Sequence, residues 1–306
     1  MNHLFGPVRS RRLGLSLGVD LLPFKTCSMN CVYCECGPTT SHTAGIMEYF
    51  PTVDVIAELD AFLAPGPELD VITFAGSGEP TLHSGLGDII GFIKTKYPRY
   101  RVAVLTNGSL FWREEARRAV LAADIIAPSL DAVSPEAFRK INRPVRALDP
   151  AKIVEGLISL RSEFRGELRL EVFIVPGVND SPGELALIRD AALRIRPDIV
   201  QLNTLDRPGT DPSLAPADRE ALERIRDFMA PLRAEIIGAP DYAKQAAPAG
   251  SDAVLATLKR RPSTAGDLAA SLGMDAAEIE RALAELERAG IVEKRAGERG
   301  EFYSAK

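Results

Sequence analysis

Short apolar runs alternate with amphipathic stretches over the first 238 residues of the chain. Apolar runs of about four to eight residues are typical of buried strands, and apolar positions spaced three and four apart are typical of helices. Six runs are predicted strands: residues 15–22, 70–76, 101–106, 124–130, 168–175 and 198–204, with 234–238 as a candidate seventh. Six stretches between them are predicted helices: residues 53–64, 86–97, 113–123, 151–164, 183–195 and 217–232.

The alternation of strands and helices predicts the fold class. Near-continuous apolar strands separated by helices indicate a parallel sheet covered on both faces, which makes the chain an α/β protein. The number of strands favours a partial (β/α)6 barrel over an eightfold one. In such folds the carboxyl ends of the strands carry the active site. Polar, glycine-rich words follow several of the strands: GSGEP (76–80), TNGS (106–109), SLDA (129–132), PGVND (176–180) and NTLDRPG (203–209).

The composition changes near residue 238. Residues 239–250 are rich in Ala, Pro and Gly, which is typical of a linker. Beyond it, three amphipathic helices and a hairpin turning near Gly297–Gly300 resemble a winged helix. We therefore predict a barrel domain at residues 1–238, a linker at 239–250 and a winged-helix-like domain at 251–306.

Bulk composition excludes some classes of protein. No stretch approaches about 18 uncharged apolar residues, so we expect no membrane span, and the first residues lack the apolar core of a secretory signal. The expected location is therefore the cytoplasm. A net charge of −5 argues against a non-specific polyanion binder. The candidate recognition helix at 275–289 carries five acidic and two basic residues, so we expect an interaction module and no specific DNA binding.

All four cysteines lie in FKTCSMNCVYCECG, residues 24–37, here called the cysteine loop. Cys27, Cys31 and Cys34 have the spacing C-x3-C-x2-C, and Cys36 follows. In a reducing compartment such a group indicates metal or redox chemistry rather than disulfides. Thiolates bind both zinc and iron–sulfur clusters.

The spacing of the cysteines favours an iron–sulfur cluster over a zinc ion. A zinc site is kept as the alternative. Structural zinc sites commonly use two separated C-x2-C pairs, and no second pair is present. The three histidines, His3, His42 and His83, lack finger spacing. A [4Fe–4S] cluster held by three cysteines leaves one iron open to a substrate or cofactor.

The motifs resemble those of the radical S-adenosylmethionine (radical SAM) superfamily. The cysteine word follows the first predicted strand and has an aromatic residue, Tyr33, before its last cysteine. GSGEP after the second strand resembles the family's GGEP motif, with Ser77 in place of the second glycine. The resemblance covers roughly residues 12–238. Residues 5–37 are further similar to a group of iron–sulfur oxidoreductases related to the tRNA wyosine-base synthases.

The resemblance implies a mechanism and a set of site residues. Cys27, Cys31 and Cys34 would ligate a [4Fe–4S] cluster whose fourth iron is chelated by SAM. Reductive cleavage of SAM would give methionine and a 5′-deoxyadenosyl radical that abstracts hydrogen from a substrate. Carbonyl and carboxylate oxygens can accept from the SAM ammonium, and glycines let the backbone approach closely. The implied SAM-binding residues are Tyr33, Gly76, Ser77, Gly78, Glu79, Pro80, Asn107, Ser129, Asp131 and Val175.

Several alternatives stay open. The implied partners are SAM, an electron donor such as flavodoxin or ferredoxin, and a substrate that is a small molecule, a peptide or an RNA. A glycyl-radical activating enzyme is the alternative within the enzyme class, and a cluster- or metal-sensing winged-helix regulator is the alternative outside it. At the residue level, Asp131 is alternatively the cap of a helix starting near Ser134. Asn107 with Gly108 is alternatively a turn. Cys36 is unassigned.

Two groups of basic residues are candidates for anion binding. Residues 142–144 and 206–207 lie on the predicted rim, where Arg143 or Arg207 could hold a carboxylate or phosphate. The alternative for Arg143 and Arg207 is that they are solvated surface residues.

Arg9, Arg11 and Arg12 form a small basic patch before the first predicted strand, which could attract an anionic substrate or be a solvated terminus.

Overall fold

The structure, a computed structural model, describes residues 3–10, 12–238, 251–259, 262–297 and 299–306 of the chain. The predicted linker at 239–250 and Arg11 of the predicted basic patch lie outside the described residues. None of the helices within the described ranges combines the length and hydropathy needed to cross a lipid bilayer.

Most of the strands belong to one sheet. The strands are β1 (Leu4–Ser10), β2 (Gly14–Val19), β3 (Thr26–Cys27), β4 (Ser41–His42), β5 (Val71–Phe74), β6 (Arg101–Thr106), β7 (Ile125–Pro128), β8 (Glu167–Phe173), β9 (Ile199–Asn203), β10 (Ala234–Ile236), β11 (Val292–Gly297) and β12 (Gly300–Ala305). Eight of them pair in the order β1-β2-β5-β6-β7-β8-β9-β10, parallel throughout except for the antiparallel β1–β2 pair. The six predicted strands and the candidate seventh are therefore confirmed.

The helices connect successive parallel strands. They are α1 (Thr52–Leu63), α2 (Leu86–Lys96), α3 (Glu114–Val120), α4 (Pro135–Ile141), α5 (Pro150–Glu163), α6 (Pro182–Ile195), α7 (Arg219–Phe228), α8 (Ser251–Leu258), α9 (Ala265–Leu272) and α10 (Ala276–Arg288). The six predicted barrel helices are all present. Each of β2, β5, β6, β7, β8 and β9 is followed by helix before the next strand of the sheet, and β7 is followed by both α4 and α5. The predicted α/β fold class and partial (β/α)6 barrel are confirmed.

Strand β5 shows why the strands have continuous apolar sequences. All four of its residues are buried, and Ile72 and Phe74 are fully enclosed. A strand with the barrel interior on one side and helices on the other has no solvent-facing side, so period-two alternation is absent. Helix boundaries follow local capping chemistry. Ser181 begins α6 by accepting a hydrogen bond from the backbone of Glu184, with Pro182 at the first helical position.

Strand β1 is an element that the sequence analysis missed. It pairs antiparallel with β2, with an irregular register between Phe5 and Val8, and it is only partly buried. The predicted basic patch next to it is also changed. Arg12, in the turn between β1 and β2, forms an ion pair with Glu171 on β8. Arg12 is therefore part of the barrel's internal contacts and does not act as a free surface cation.

Residues 251–306, here called the tail, contain α8, α9 and α10 followed by the hairpin of β11 and β12. The hairpin, here called the wing, turns between Gly297 and Gly300 as predicted. Leucine, isoleucine and valine side chains from all three helices and from β11 form an apolar cluster that also includes Val8 of β1. Helices α8 and α9 pack against β1, so the tail lies directly on the barrel.

Candidate functional site

The cysteine loop lies at the carboxyl ends of the barrel strands and is tied to its neighbours by backbone hydrogen bonds. Strand β3, at the start of the loop, pairs with β4, which follows the loop. In its middle, the backbone N–H of Val32 donates to Ile141 (2.9 Å) and that of Asn30 donates to Asn142 (3.0 Å). The N–H of Val145 donates back to Ser28 (2.9 Å). The segment after α4 therefore fixes the course of the loop.

Each of the three spaced cysteines faces a nitrogen donor. The amide of Asn107 donates to the Cys27 sulfur (3.5 Å), and the amide of Asn142 donates to the Cys31 sulfur (3.4 Å). The ammonium group of Lys25 donates to the Cys34 sulfur (2.9 Å). All four cysteines are partly buried. Donors of this kind stabilise thiolate sulfur, which is the form that binds metal.

The acidity of the thiols differs with their surroundings. Burial, together with the charge of Glu79, raises the pKa of Cys27 to about 11. Burial and the charge of Asp131 also raise the pKa of Cys31. A hydrogen bond from Cys36 and the charge of Lys25 lower the pKa of Cys34 to about 5, against the effect of burial. Iron or another metal ion would have to displace protons from Cys27 and Cys31 on binding.

The donor chemistry fits an iron–sulfur cluster better than single-ion zinc. Among the described residues, no three His, Cys, Asp or Glu side chains are grouped so that they could hold one metal ion. In a cluster each thiolate binds a different iron, so the three sulfurs need not meet at one point. Nitrogen donors at 2.9–3.5 Å from each sulfur would stabilise the thiolates once a metal ion has displaced the protons of Cys27 and Cys31.

GSGEP packs directly against the cysteine loop. The backbone N–H of Lys25 donates to the carbonyl of Ser77 (3.0 Å), and that of Glu79 donates to Thr26 (3.1 Å). A Cβ atom on Gly78 would lie 2.3 Å from the Thr26 carbonyl oxygen. Gly76 has φ +143°, where L side chains are rarely found. Gly78 is therefore required by the close approach of two backbone segments, and Gly76 by its own backbone conformation.

Glu79 is buried and its carboxylate is occupied by protein donors. One oxygen accepts from the backbone N–H of Thr81 (3.0 Å) and from the hydroxyls of Thr81 (2.5 Å) and Thr106 (2.6 Å). The other accepts from the backbone N–H of Asn107 (2.6 Å). Burial raises its pKa, while these hydrogen bonds act in the opposite direction. Glu79 therefore joins GSGEP to the end of β6, and Pro80 begins the short 3-10 helix Pro80–Leu82.

Asp131 is a second buried carboxylate, at the end of β7. It accepts from the Tyr33 hydroxyl (2.5 Å), the Asn142 amide (2.7 Å) and the backbone N–H of Phe173 (3.0 Å). Burial raises the pKa values of both Asp131 and Tyr33. The alternative role for Asp131 as a helix cap is wrong, because the Ser134 hydroxyl caps α4.

The remaining predicted residues surround Asp131. The Tyr33 ring stacks on Phe173 with centroids 3.9 Å apart. Ser129 is half-buried and bridges to Glu171, and Val175 is fully buried at the end of β8. The Val175 N–H donates to the side chain of Asn179 (2.8 Å). The structure thus connects Asp131 to Tyr33 of the cysteine loop and Val175 to Asp131 through Asn179, whereas GSGEP and Asn107 contact the start of the loop.

Sequence reasoning missed several residues of this site. Lys25 is 3% exposed although lysine is rarely buried, and no local pattern distinguishes it from a surface lysine. Asp20 accepts from both the N–H (3.1 Å) and the hydroxyl (3.0 Å) of Ser77. Gly209 lies where a Cβ atom would be 2.9 Å from the Tyr33 backbone. The polar word NTLDRPG was the available signal for Gly209, whereas Asp20 lies inside the predicted strand 15–22 and had none.

The two arginines predicted on the rim have different surroundings. Arg207 is 5% exposed, and its guanidinium lies 3.2 Å from Glu35, which stands between Cys34 and Cys36. It also lies 3.9 Å from Asp267 of α9. Arg143 is more exposed and lies 3.6 Å from Asp211. Arg207 is therefore a buried link between the cysteine loop and the tail, and the solvated alternative is wrong for it.

The tail stands beside the cysteine loop. A cavity of about 110 Å³ lies between them, lined by residues that include Glu35, Cys36, Gly209, Arg295 and Phe302. A larger cleft of about 380 Å³ separates residues 205–216 from the wing. Cys36 faces this side and its thiol is 3.7 Å from the Gly76 carbonyl oxygen.

Two family profiles match the sequence. The profile of the Radical SAM superfamily matches residues 21–187, a segment that contains the cysteine loop and GSGEP. The profile of the DprA winged helix domain matches residues 238–298.

Relatives with similar sequences carry different names. A "GTPase Obg" of Brachyspira hyodysenteriae is 36% identical over 95% of this chain, which spans only 43% of that protein. A UPF0026 protein of Helicobacter pylori is 35% identical over 86% of this chain, which spans 85% of that protein.

Solved structures share the architecture at low sequence identity. A radical SAM methyltransferase from Sphaerobacter thermophilus aligns with a TM-score of 0.56 and 16% identity, covering 72% of this chain and 65% of its own. TYW1 with a lysine-pyruvate adduct bound aligns with a TM-score of 0.50 and 15% identity, covering 74% and 75%. At these identities the likeness shows a common fold.

Proposed function

Because the chain belongs to the radical SAM superfamily, whose members are enzymes that use a [4Fe–4S] cluster and SAM, we propose that it activates SAM at the cysteine loop. When bound, the two cofactors supply reductive cleavage of SAM to methionine and a 5′-deoxyadenosyl radical, which takes a hydrogen atom from a substrate. The protein's part in this chemistry is to hold, orient and shield the reactants.

The observation that carries the proposal is the arrangement of three thiols, each next to its own nitrogen donor. Cys27, Cys31 and Cys34 are the proposed ligands, since they are the cysteines with the matching spacing and with these donors. We leave Cys36 out of the ligand set. Its thiol is engaged with Cys34 and with the Gly76 carbonyl oxygen.

The SAM-binding side is proposed around GSGEP and Tyr33. The backbone of Gly76, Ser77 and Gly78 runs beside the loop and offers carbonyl oxygens close to the thiols, which suits an ammonium group. Pro80 stiffens the turn that follows this segment. Tyr33, Ser129 and Val175 are proposed to contact the nucleoside.

The two buried carboxylates have a modified role in this proposal. The resemblance implied direct SAM contacts for Glu79 and Asp131, but their oxygens already accept hydrogen bonds from protein groups. We therefore assign them mainly to positioning. Glu79 orients Asn107 and the glycine segment, and Asp131 orients Tyr33 and Asn142.

Residues 1–238 are the proposed catalytic unit, and 251–306 an interaction unit joined to it through 239–250. The exposed charges of α10 are mainly acidic, Glu278, Glu280, Glu285 and Glu287 against Arg281 and Arg288, which does not suit a phosphate backbone. A flavodoxin or ferredoxin is the proposed electron donor. The substrate is a separate molecule that enters at the mouth of the barrel.

Anaerobic reconstitution with iron and sulfide tests the proposal. We expect about four iron and four sulfide per chain and formation of 5′-deoxyadenosine from SAM after reduction with dithionite. Single replacement of Cys27, Cys31 or Cys34 by alanine should abolish both. Cys36→Ala is the matched control and should keep both.

Two results would contradict the proposal. A wild-type protein that holds a reducible cluster but yields no deoxyadenosine would show that it is not a SAM-cleaving enzyme. Loss of the cluster in Cys36→Ala as well would show four protein ligands and no open iron for SAM.

A further inference from the structure

The nitrogen donors around the thiols come from three separate parts of the fold. Lys25 precedes β3, Asn107 follows β6 and Asn142 follows α4. Their nitrogens lie 2.9, 3.5 and 3.4 Å from the sulfurs of Cys34, Cys27 and Cys31. We call Lys25, Asn107 and Asn142 the donor set.

The two amides are held in fixed orientations. The Asn107 nitrogen also donates to the Ser28 hydroxyl (2.9 Å), while its oxygen accepts from the Ser109 backbone (3.0 Å). The Asn142 nitrogen also donates to Asp131 (2.7 Å). These contacts assign the nitrogen end of each amide to the sulfur, because a flipped amide would place oxygen against the same acceptors.

Lys25 differs from the amides by its charge. Its side chain is enclosed, with the residue 3% exposed, and its φ of +54° is uncommon for a non-glycine residue. Placing an ammonium group in the interior is costly unless a negative partner is present. The Cys34 sulfur at 2.9 Å is that partner, and Cys27 and Cys36 also interact with the Lys25 charge.

Hydrogen bonds and positive charge next to cluster sulfurs favour the reduced state. Reduction adds one negative charge, which N–H donors and a buried cation stabilise, so the reduction potential rises. Two carboxylates act in the opposite sense, since Asn107 contacts both Cys27 and Glu79, and Asn142 contacts both Cys31 and Asp131. A cation on the Cys34 side offsets part of their effect.

We propose that the donor set raises the reduction potential of the cluster held by Cys27, Cys31 and Cys34, with Lys25 making the largest contribution. This inference rests on the proposed function only in that the loop holds a [4Fe–4S] cluster. The donor set acts on the one-electron couple of that cluster, and the electron comes from the external donor. It does not touch the substrate.

A potentiometric titration of the reconstituted protein, followed by the EPR signal of the reduced cluster, measures the effect without SAM. In Lys25→Met the ratio of reduced to oxidised cluster at a fixed potential should fall about tenfold, a shift of about 59 mV to more negative potential. Asn107→Leu and Asn142→Leu should shift it in the same direction by less. Lys140→Met removes an exposed lysine that pairs with Glu136 and should cause no shift.

Every outcome bears on the donor set. A Lys25→Met cluster with the wild-type potential overturns the proposal. If Lys25→Met does not retain the cluster, the two asparagine variants decide, and wild-type potentials in them overturn it equally. Loss of the cluster in all three variants would assign the donor set to cluster assembly and would also overturn the proposal.

The test separates this inference from the proposed function. Wild-type protein that forms deoxyadenosine while the variants keep the wild-type potential refutes only the donor set. Wild-type protein that forms no deoxyadenosine while the variants shift refutes only the SAM chemistry.

Discussion

Replacing Arg207 with methionine removes a buried charge between the cysteine loop and the tail. The guanidinium lies 3.2 Å from Glu35, 3.5 Å from Asp206 and 3.9 Å from Asp267. Arg299 of the wing lies 2.9 Å from Asp267 and 3.1 Å from Asp206. Methionine has a similar length and keeps the apolar contacts, so the variant isolates the charge.

The magnitude follows from burial. The side chains of Arg207 and Asp267 are each 3% exposed, and removal of one partner from a buried ion pair costs about 3–5 kcal/mol. Arg299 still neutralises Asp267, and the Glu35 side chain is 28% exposed. The cost should therefore lie at the lower end of this range of free energies. We expect the docking of the tail to weaken by about 3 kcal/mol, or about 100-fold in the opening equilibrium.

Hydrogen exchange followed by mass spectrometry provides the assay. Peptides that cover α9 and residues 204–212 should exchange about 100-fold faster in Arg207→Met, while peptides from β5 and β6 keep their protection. The control is Arg219→Met, which removes an arginine with a 72% exposed side chain paired with Glu223 and should change stability by about 0.5 kcal/mol or less. Equal exchange of α9 in the two variants would refute the role of Arg207.

Three further predictions concern single residues. Gly78→Ala should abolish cluster retention, because its Cβ atom would lie 2.3 Å from a backbone carbonyl oxygen of the cysteine loop, whereas Gly91→Ala has open space and should keep full iron content. Tyr33→Phe removes a donor to the buried carboxylate of Asp131 and should lower the free energy of unfolding of the cluster-free protein by about 1–3 kcal/mol in urea; a change under about 0.5 kcal/mol would contradict this. Burial lowers the pKa of His83, and its Nδ1 accepts a hydrogen bond from a backbone N–H. The neutral form of His83 therefore contributes stability above the unfolded-state pKa of about 6.5. This stability is lost as the pH falls towards the lower folded-state pKa. Wild-type unfolding free energy should therefore fall more steeply between about pH 6.5 and 5 than that of His83→Asn, and parallel curves would exclude His83 as the cause.

Much of the barrel could be predicted because its signals are local. Buried parallel strands have continuous apolar sequences, and their helices have amphipathic periodicity, so each element is legible on its own. Strand β1 was missed because Gly6 and Pro7 interrupt its pattern and only Leu4 and Val8 are buried. Its pairing with β2 depends on the tertiary structure and cannot be predicted from the residues of β1 alone.

The candidate site divides in the same way. The thiols and GSGEP were found because their spacing is a short-range property of the sequence. Lys25, Asp20 and Arg207 were missed or left undecided because the sequence does not distinguish a buried charged side chain from a solvated one. Only the folded arrangement shows that Lys25 faces Cys34, nine residues away, and that Arg207 faces Glu35, 172 residues away.

Val8 of β1 completes the apolar cluster of the tail, although 243 positions separate it from Ser251. If the chain were cut within 239–250 and the fragments separated, apolar surface would be exposed on both. The first fragment would expose Val8, and the second would expose the apolar cluster that Val8 covers. The two halves are better regarded as complementary pieces that should reassociate when mixed than as autonomous modules ready for transplantation.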